Sequence, residues 1–116
     1  KAIMPVGIYG QTAPMNEICA IAKRNGSIPV IEDAAQSAGS MLHGRPAGTW
    51  GNVGCFSAHP LKNLNACGDA GFIITNDESV ATKIRGARKR DRPTRLAPTT
   101  GGAQKGREMT RRAILL

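Results

Sequence analysis

Lys62 stands at the centre of the stretch best suited to chemistry, FSAHPLKNLNACGDAG over residues 56–71. Apolar runs flank it, Val53–Ser57 before and Phe72–Thr75 after, and each reads as a strand. Pro60 ends regular pairing, because it lacks an N–H and fixes its own φ. A lysine on a loop between two buried strands sits where a rigid scaffold displays functional groups. Once partly desolvated, its amine spends time neutral, and a neutral amine attacks carbonyl carbon. Most lysines do none of this and are solvated surface charges. Upstream, Asp33 and Gln36 lie three residues apart behind a further apolar run, Ile28–Ile31. Asp33 offers a carboxylate that favours a protonated nitrogen beside it, and it is equally suited to cap a helix starting at Ala34. Ser57 offers a hydroxyl at a strand end, where a lone serine is commonly a turn residue.

Competing constellations are weaker. Ser57, His59 and Asp69 can be drawn as a hydrolase set, but no GxSxG elbow presents the serine. His59 precedes Pro60 and is placed to line a substrate entrance. Neither GxGxxG nor a P-loop occurs. Cys19, Cys55 and Cys67 form an odd set without a CxxC pair, so they read as buried or loop thiols and not as a disulfide or zinc framework.

The elements that must position these residues follow from periodicity. Ala2–Val6 reads as a strand. Thr12 is expected to cap a helix with Pro14 in its first turn and Met15, Ile18, Cys19 and Ala22 on one face. Lys23 and Arg24 suit the negative end of that helix, and Gly26 its C′ position. Ile28–Ile31 then has the continuous apolar pattern of a strand in a parallel sheet. Strand, helix, strand makes a βαβ unit, which puts Asp33 at the carboxyl end of a strand, where ligands of open α/β sheets collect. Gln36 falls on the same side if Ala34–Ala38 is helical. Residues 40–52 read as a polar, Gly-rich connection in which Trp50 is a loop anchor. Thr75-Asn76-Asp77-Glu78 has capping-box spacing, opening a helix with Val80, Ile84 and Ala87 inward.

The 116 residues suffice for one small domain. Their net charge of +8 is unevenly spread. Residues 1–82 hold five Lys/Arg against six Asp/Glu, a net of −1, whereas residues 83–116 hold eleven against two, a net of +9. A nucleic-acid-binding reading rests on that basic segment alone. With no basic-then-apolar leader and no long apolar run, a cytoplasmic location without membrane contact is expected.

Two blocks, IEDAAQSAGS at 31–40 and FSAHPLKNLNACGD at 56–69, together with the approach IMPVGIYGQTAPMNEI, resemble the DegT/DnrJ/StrS family of pyridoxal-phosphate-dependent sugar aminotransferases. The likeness extends to about Arg85. It implies an α/β fold: part of an aspartate-aminotransferase-like (PLP fold type I) large domain with a mixed, mostly parallel sheet. It also implies pyridoxal 5'-phosphate as cofactor, with Lys62 as the Schiff-base lysine. Asp33 would face the pyridine nitrogen, Gln36 the ring or its oxygen, and Ser57 the phosphate. The reaction implied is transfer of an amino group, from a donor such as glutamate, to a keto group on a nucleotide-linked sugar. Lys62 also argues against the family's dehydratase branch, which carries histidine there. Family members are homodimers with shared active sites.

The resemblance lapses at the flanks. The family continues past Arg85 with Arg-Asn-His-Gly and Gly-x-Asn-Ser-Arg elements, where this chain has Arg88-Lys89-Arg90-Asp91 and Thr99–Gln104. Only Ala113-Ile114-Leu115 looks familiar again. Residues 1–85 are therefore expected to be a fragment of the cofactor-binding domain, and residues 86–116 a basic, Pro/Gly-rich linker or disordered tail. The first alternative is a truncated, inactive remnant of such an enzyme. Asp69 lies in the family's Gly-Asp/Glu-Gly-Gly turn, where Ala70 replaces a glycine and would be strained if φ there were positive.

Overall fold

The structure, a computed structural model, describes residues 1–90 and 112–115. In chain order the elements are α1 (Met15–Arg24), β1 (Ile31–Asp33), β2 (Met41–Leu42), β3 (Arg45–Pro46), β4 (Val53–Ser57), β5 (Gly71–Thr75), α2 (Glu78–Arg90) and β6 (Arg112–Leu115). One four-stranded sheet has the order β1-β4-β5-β6, and β2 and β3 pair as a separate hairpin. The class is α/β with a mixed sheet. On one side of β4 the pairing is parallel, with Ile31 opposite Val53 and Asp33 opposite Cys55. On its other side β5 and then β6 run antiparallel, with Ser57 opposite Gly71 and Phe72 opposite Leu115.

The expected first strand is reduced to two parallel bridges, Ile3 to Val30 and Val6 to Asp33. Pro5 between them has no N–H to give, although its carbonyl accepts from Asp33 N at 2.9 Å. β1 lies further along than the apolar run predicts. The buried residues are Val30, Glu32 and Ala34, a period of two with an acid on the inner face. Glu32 is 2% exposed, and its carboxylate accepts the Trp50 N–H at 3.2 Å. Hydrophobicity alone misses a strand whose buried face carries a charge.

α1 buries Met15 and Ala22 against Val30, with Ile3, Ile18, Cys19, Ile28, Leu42 and Trp50 closing around them. Its stripe is the expected one, and Gly26 takes a left-handed φ of 85° just past the C-cap Asn25. Its start is not. Thr12 makes no cap; its hydroxyl bonds that of Ser40 at 2.7 Å, and Pro14 precedes the helix without a side-chain cap. The connection over residues 40–52 contains the β2–β3 hairpin, turned by His43 and Gly44 at φ of 48° and 74°. Trp50 anchors it as expected. The Arg45 guanidinium stacks 4.7 Å from the ring centroid, and the indole N–H donates to Arg45 O at 3.4 Å.

The second helix starts two residues later than capping-box spacing implies. Asp77 Oδ1 accepts from Ser79 N at 2.8 Å and Val80 N at 3.2 Å, so Asp77 is the cap. Thr75 instead turns inward, donating to Asn52 O at 2.9 Å. The buried face is Val80, Ala81 and Ile84, and Ala87 is exposed. α2 runs to Arg90, five residues past the boundary expected at residue 85, and β6 contains the Ala113-Ile114-Leu115 that looked familiar. The rest of the expected tail, residues 91–111 and 116, lies outside the described residues. Among the described residues no helix is long and apolar enough to cross a membrane.

Candidate active site

Three parallel segments deliver their carboxyl ends to one rim. Val6, Asp33 and Cys55 stand in register across it, Asp33 closes β1, and Ser57 closes β4. The sheet rule for ligand position is met here by construction. Behind Val6 the chain folds over the turn that follows β1. Gly7 N donates to Asp33 O at 2.9 Å and Gly10 N to Gln36 O at 3.0 Å. Gly7 must be glycine, because a Cβ there would overlap the buried Ser37 hydroxyl.

Residues 35–39 form successive turns and no helix. The reason is local. Asp33 Oδ1 accepts the Ala35 N–H at 3.0 Å, an Asx turn that competes with helical pairing. The helix that Asp33 was expected to cap does not form, and its carboxylate closes this turn instead. Its Oδ2 has no hydrogen-bond partner among the described residues. The turn still aims Gln36 at the lysine loop: Gln36, Lys62, Gly10, Leu61 and Asn63 line one hollow of about 420 Å³. Lys62 is half-buried, and its amine makes no ion pair among the described residues.

The four expected site residues are therefore not all in one wall. Gln36 and Lys62 face the same hollow. Ser57 opens into a second one of about 360 Å³ beside Phe56 and Gly71, on the same rim. Asp33 lines neither. Gly10, Leu61 and Asn63 were not foreseen; Asn63 ties the lysine loop to the Gln36 turn by donating to Ala38 O. Nothing in its residue type marks it out, since the partner is a backbone carbonyl far away in sequence. Ala70 does not have a positive φ, so its replacement of glycine carries no backbone strain. Among the described residues no His, Cys, Asp or Glu cluster could hold a metal.

Burial sets the thiols. It pushes Cys55 above the ordinary thiol range, and the Asp33 carboxylate opposite adds to the rise. Cys19 is raised by burial as well, with Arg45 opposing and Glu32 adding. All three cysteines are free, and Cys67 is exposed.

A mixed α/β sheet whose parallel strands end on one rim fits part of the large domain of a cofactor-dependent aminotransferase. The chain belongs to the DegT/DnrJ/EryC1/StrS aminotransferase family, which matches residues 1–103. It is 47% identical over 88 residues to the UDP-N-acetyl-3-dehydro-alpha-D-glucosamine 3-aminotransferase of Acidithiobacillus ferrooxidans, covering 76% of this chain and 24% of that protein. It superposes with a TM-score of 0.72 and 36% identity on the S. venezuelae protein DesV in complex with a ketimine intermediate, covering 88% of this chain and 27% of that one. With a TM-score of 0.63 and 38% identity it matches NtdA of Bacillus subtilis, solved with bound cofactor PMP, covering 72% of this chain and 18% of that one. These relatives indicate pyridoxal phosphate as the cofactor. The chain spans about a quarter of the length of the relatives it matches.

Proposed function

We propose that these residues carry the lysine wall of a pyridoxal-phosphate site in an enzyme that aminates a keto group on a nucleotide-linked sugar, with an amino acid such as glutamate as donor. The observation that supports it most is the shared hollow of Lys62 and Gln36, at the rim where parallel β1 and β4 end. When bound, the cofactor supplies an electron sink for the carbanion left by proton removal. Lys62 Nζ would hold the cofactor through its aldehyde, and as a free amine would carry a proton between the substrate carbon and the cofactor carbon. The open oxygen of Asp33 would be the charge partner of a protonated ring nitrogen. The Gln36 amide is placed to bond the ring or its oxygen, and the Ser57 hydroxyl a phosphate oxygen. Half-burial of Lys62 limits the water around the amine. The remaining walls come from outside residues 1–90, in keeping with a chain that spans about a quarter of its relatives. A second subunit, as in homodimeric family members, is the proposed source of part of them.

The test is chemical trapping. The chain is mixed with pyridoxal phosphate, reduced with borohydride, digested and mapped by mass, beside Lys62→Ala. Reductive attachment at Lys62, outpacing every other lysine and absent from the variant, supports the reading. Equal modification of Lys1, Lys23 and Lys62 would sink it, since that is ordinary surface-amine chemistry.

A further inference from the structure

The connection from β4 to β5 contains a residue that the proposed chemistry does not use and that nevertheless holds the lysine in place. Pro60 has no N–H, so the first two donors after it are those of Leu61 and Lys62, and both end on His59. Leu61 N donates to His59 Nδ1 at 3.2 Å, and Lys62 N donates to His59 O at 2.8 Å. His59 N in turn donates to Ser57 Oγ at 3.3 Å, which joins the same residue to the end of β4. On the far side of the ring, Nε2 lies 3.6 Å from Asp69 Oδ1 on the returning limb of the loop. With Ala58 N on Ala70 O at 2.8 Å, the limbs are closed at their base, and His59 is the side chain that spans them above it.

The donor inventory constrains the ring's form. A nitrogen that accepts a backbone N–H carries no proton of its own, so the 3.2 Å approach of Leu61 N calls for a bare Nδ1 and a proton on Nε2, facing Asp69. An imidazolium would set one N–H against the Leu61 N–H. Asp69 is 93% exposed on its side chain, so its attraction is screened and weak. The Nδ1 bond therefore carries the effect.

We infer that His59 is the positioning residue for Lys62: in its Nε2–H form it accepts the Leu61 N–H and fixes the turn that presents the amine to the Gln36 hollow. This rests on the reading of Lys62 as the cofactor-anchoring amine. A short side chain can replace the imidazole in this one respect, because an Asn oxygen also reaches the N–H two residues on, as Asp33 does to Ala35. Gln is one carbon longer and does not close that turn.

The experiment has two arms on the full chain. In the cofactor-free protein, nitrogen NMR of labelled histidine reads the His59 tautomer, and amide exchange reads Leu61, with Phe56 and Ile73 as folding controls. Expected are a bare Nδ1 and a Leu61 amide whose protection falls about five- to tenfold in His59→Ala, the loss of one hydrogen bond. In the second arm, the initial rate of borohydride-fixed cofactor attachment at Lys62 falls by a similar factor in His59→Ala and His59→Gln and recovers in His59→Asn. A proton on Nδ1, an unchanged Leu61 amide in His59→Ala, or His59→Asn as slow as His59→Ala overturns the inference. If the unaltered chain attaches no cofactor at Lys62, the proposed function fails, and the tautomer and amide exchange alone decide what His59 does.

Discussion

Gly54→Ala and Gly86→Ala are the same chemical change, and the fold gives them opposite signs. At Gly54 an added methyl meets the carbonyl oxygen, carbonyl carbon and Cα of Gly48, all backbone atoms with no flexible end to swing away. Gly48 cannot retreat, since it has a left-handed φ of 76° and lies against the Phe56 ring. Nor can β4 slide, being registered to β1 on one side and to β5 on the other. Overpacking costs about 1–3 kcal/mol, and an all-backbone collision belongs at the upper end. At about 3 kcal/mol the folding constant drops roughly a hundredfold. At Gly86 nothing lies within 4 Å of the added methyl, and the residue is helical in α2. There alanine stabilises by about 0.5–1 kcal/mol, through helix propensity and a less free unfolded chain. The assay is urea unfolding of the three proteins followed by circular dichroism and Trp50 fluorescence. A Gly54→Ala midpoint equal to that of the unaltered chain would refute the packing argument, and a lowered Gly86→Ala midpoint would refute the helical placement.

Other outcomes follow from the site and the caps. Trapping at Lys62 and its loss in Lys62→Ala test the anchoring amine, and the His59 series tests what holds it. Asp77 is held below its usual 3.8 by the Ser79 side-chain hydrogen bond first, then by the Val80 and Ser79 backbone N–H groups. A depressed folded value means that this contribution is full above 3.8 and fades as pH falls through the folded value. Protection of the Ser79 and Val80 amides, relative to exchange in a free peptide at the same pH, should fall there, and Asp77→Ala should remove the pH step. Thiol labelling at pH 8 should reach Cys67 at least about tenfold sooner than Cys55, because burial keeps the Cys55 thiol protonated. Equal rates would show that β4 is open to solvent.

The parts of this fold that were legible in the sequence are those where one signal acts alone. Val53–Ser57 was bounded to the residue, because a β-branched start, an apolar middle and Pro60 shortly beyond all agree. The α1 stripe is equally plain. Where two local signals compete, residue type alone does not decide between them. Glu32 on a buried face hid the centre of β1. Asp33 could cap a helix or close an Asx turn, and the turn prevailed over helix at 35–39. Both Thr75 and Asp77 are capable caps, and the pull of Asn52 O on the Thr75 hydroxyl decided between them. The β2–β3 hairpin was missed because its turn is His43-Gly44, a rarer left-handed pair than Asn-Gly. The split between the Lys62 and Ser57 hollows depends on side-chain directions, to which residue spacing is blind.

The place of β5 has a consequence for how the chain assembles. Its inner edge is matched by β4, only thirteen residues before it, but its outer edge waits for β6, beyond residues 76–111. Closing the longer loop costs more entropy, rising slowly with the logarithm of its length. During synthesis Phe72, Ile73 and Ile74 therefore emerge with one row of amides and carbonyls open until Arg112–Leu115 leaves the ribosome. An open edge of that composition recruits strands from neighbouring chains. β6 is thus the strand that guards this edge of the nascent chain against its own copies.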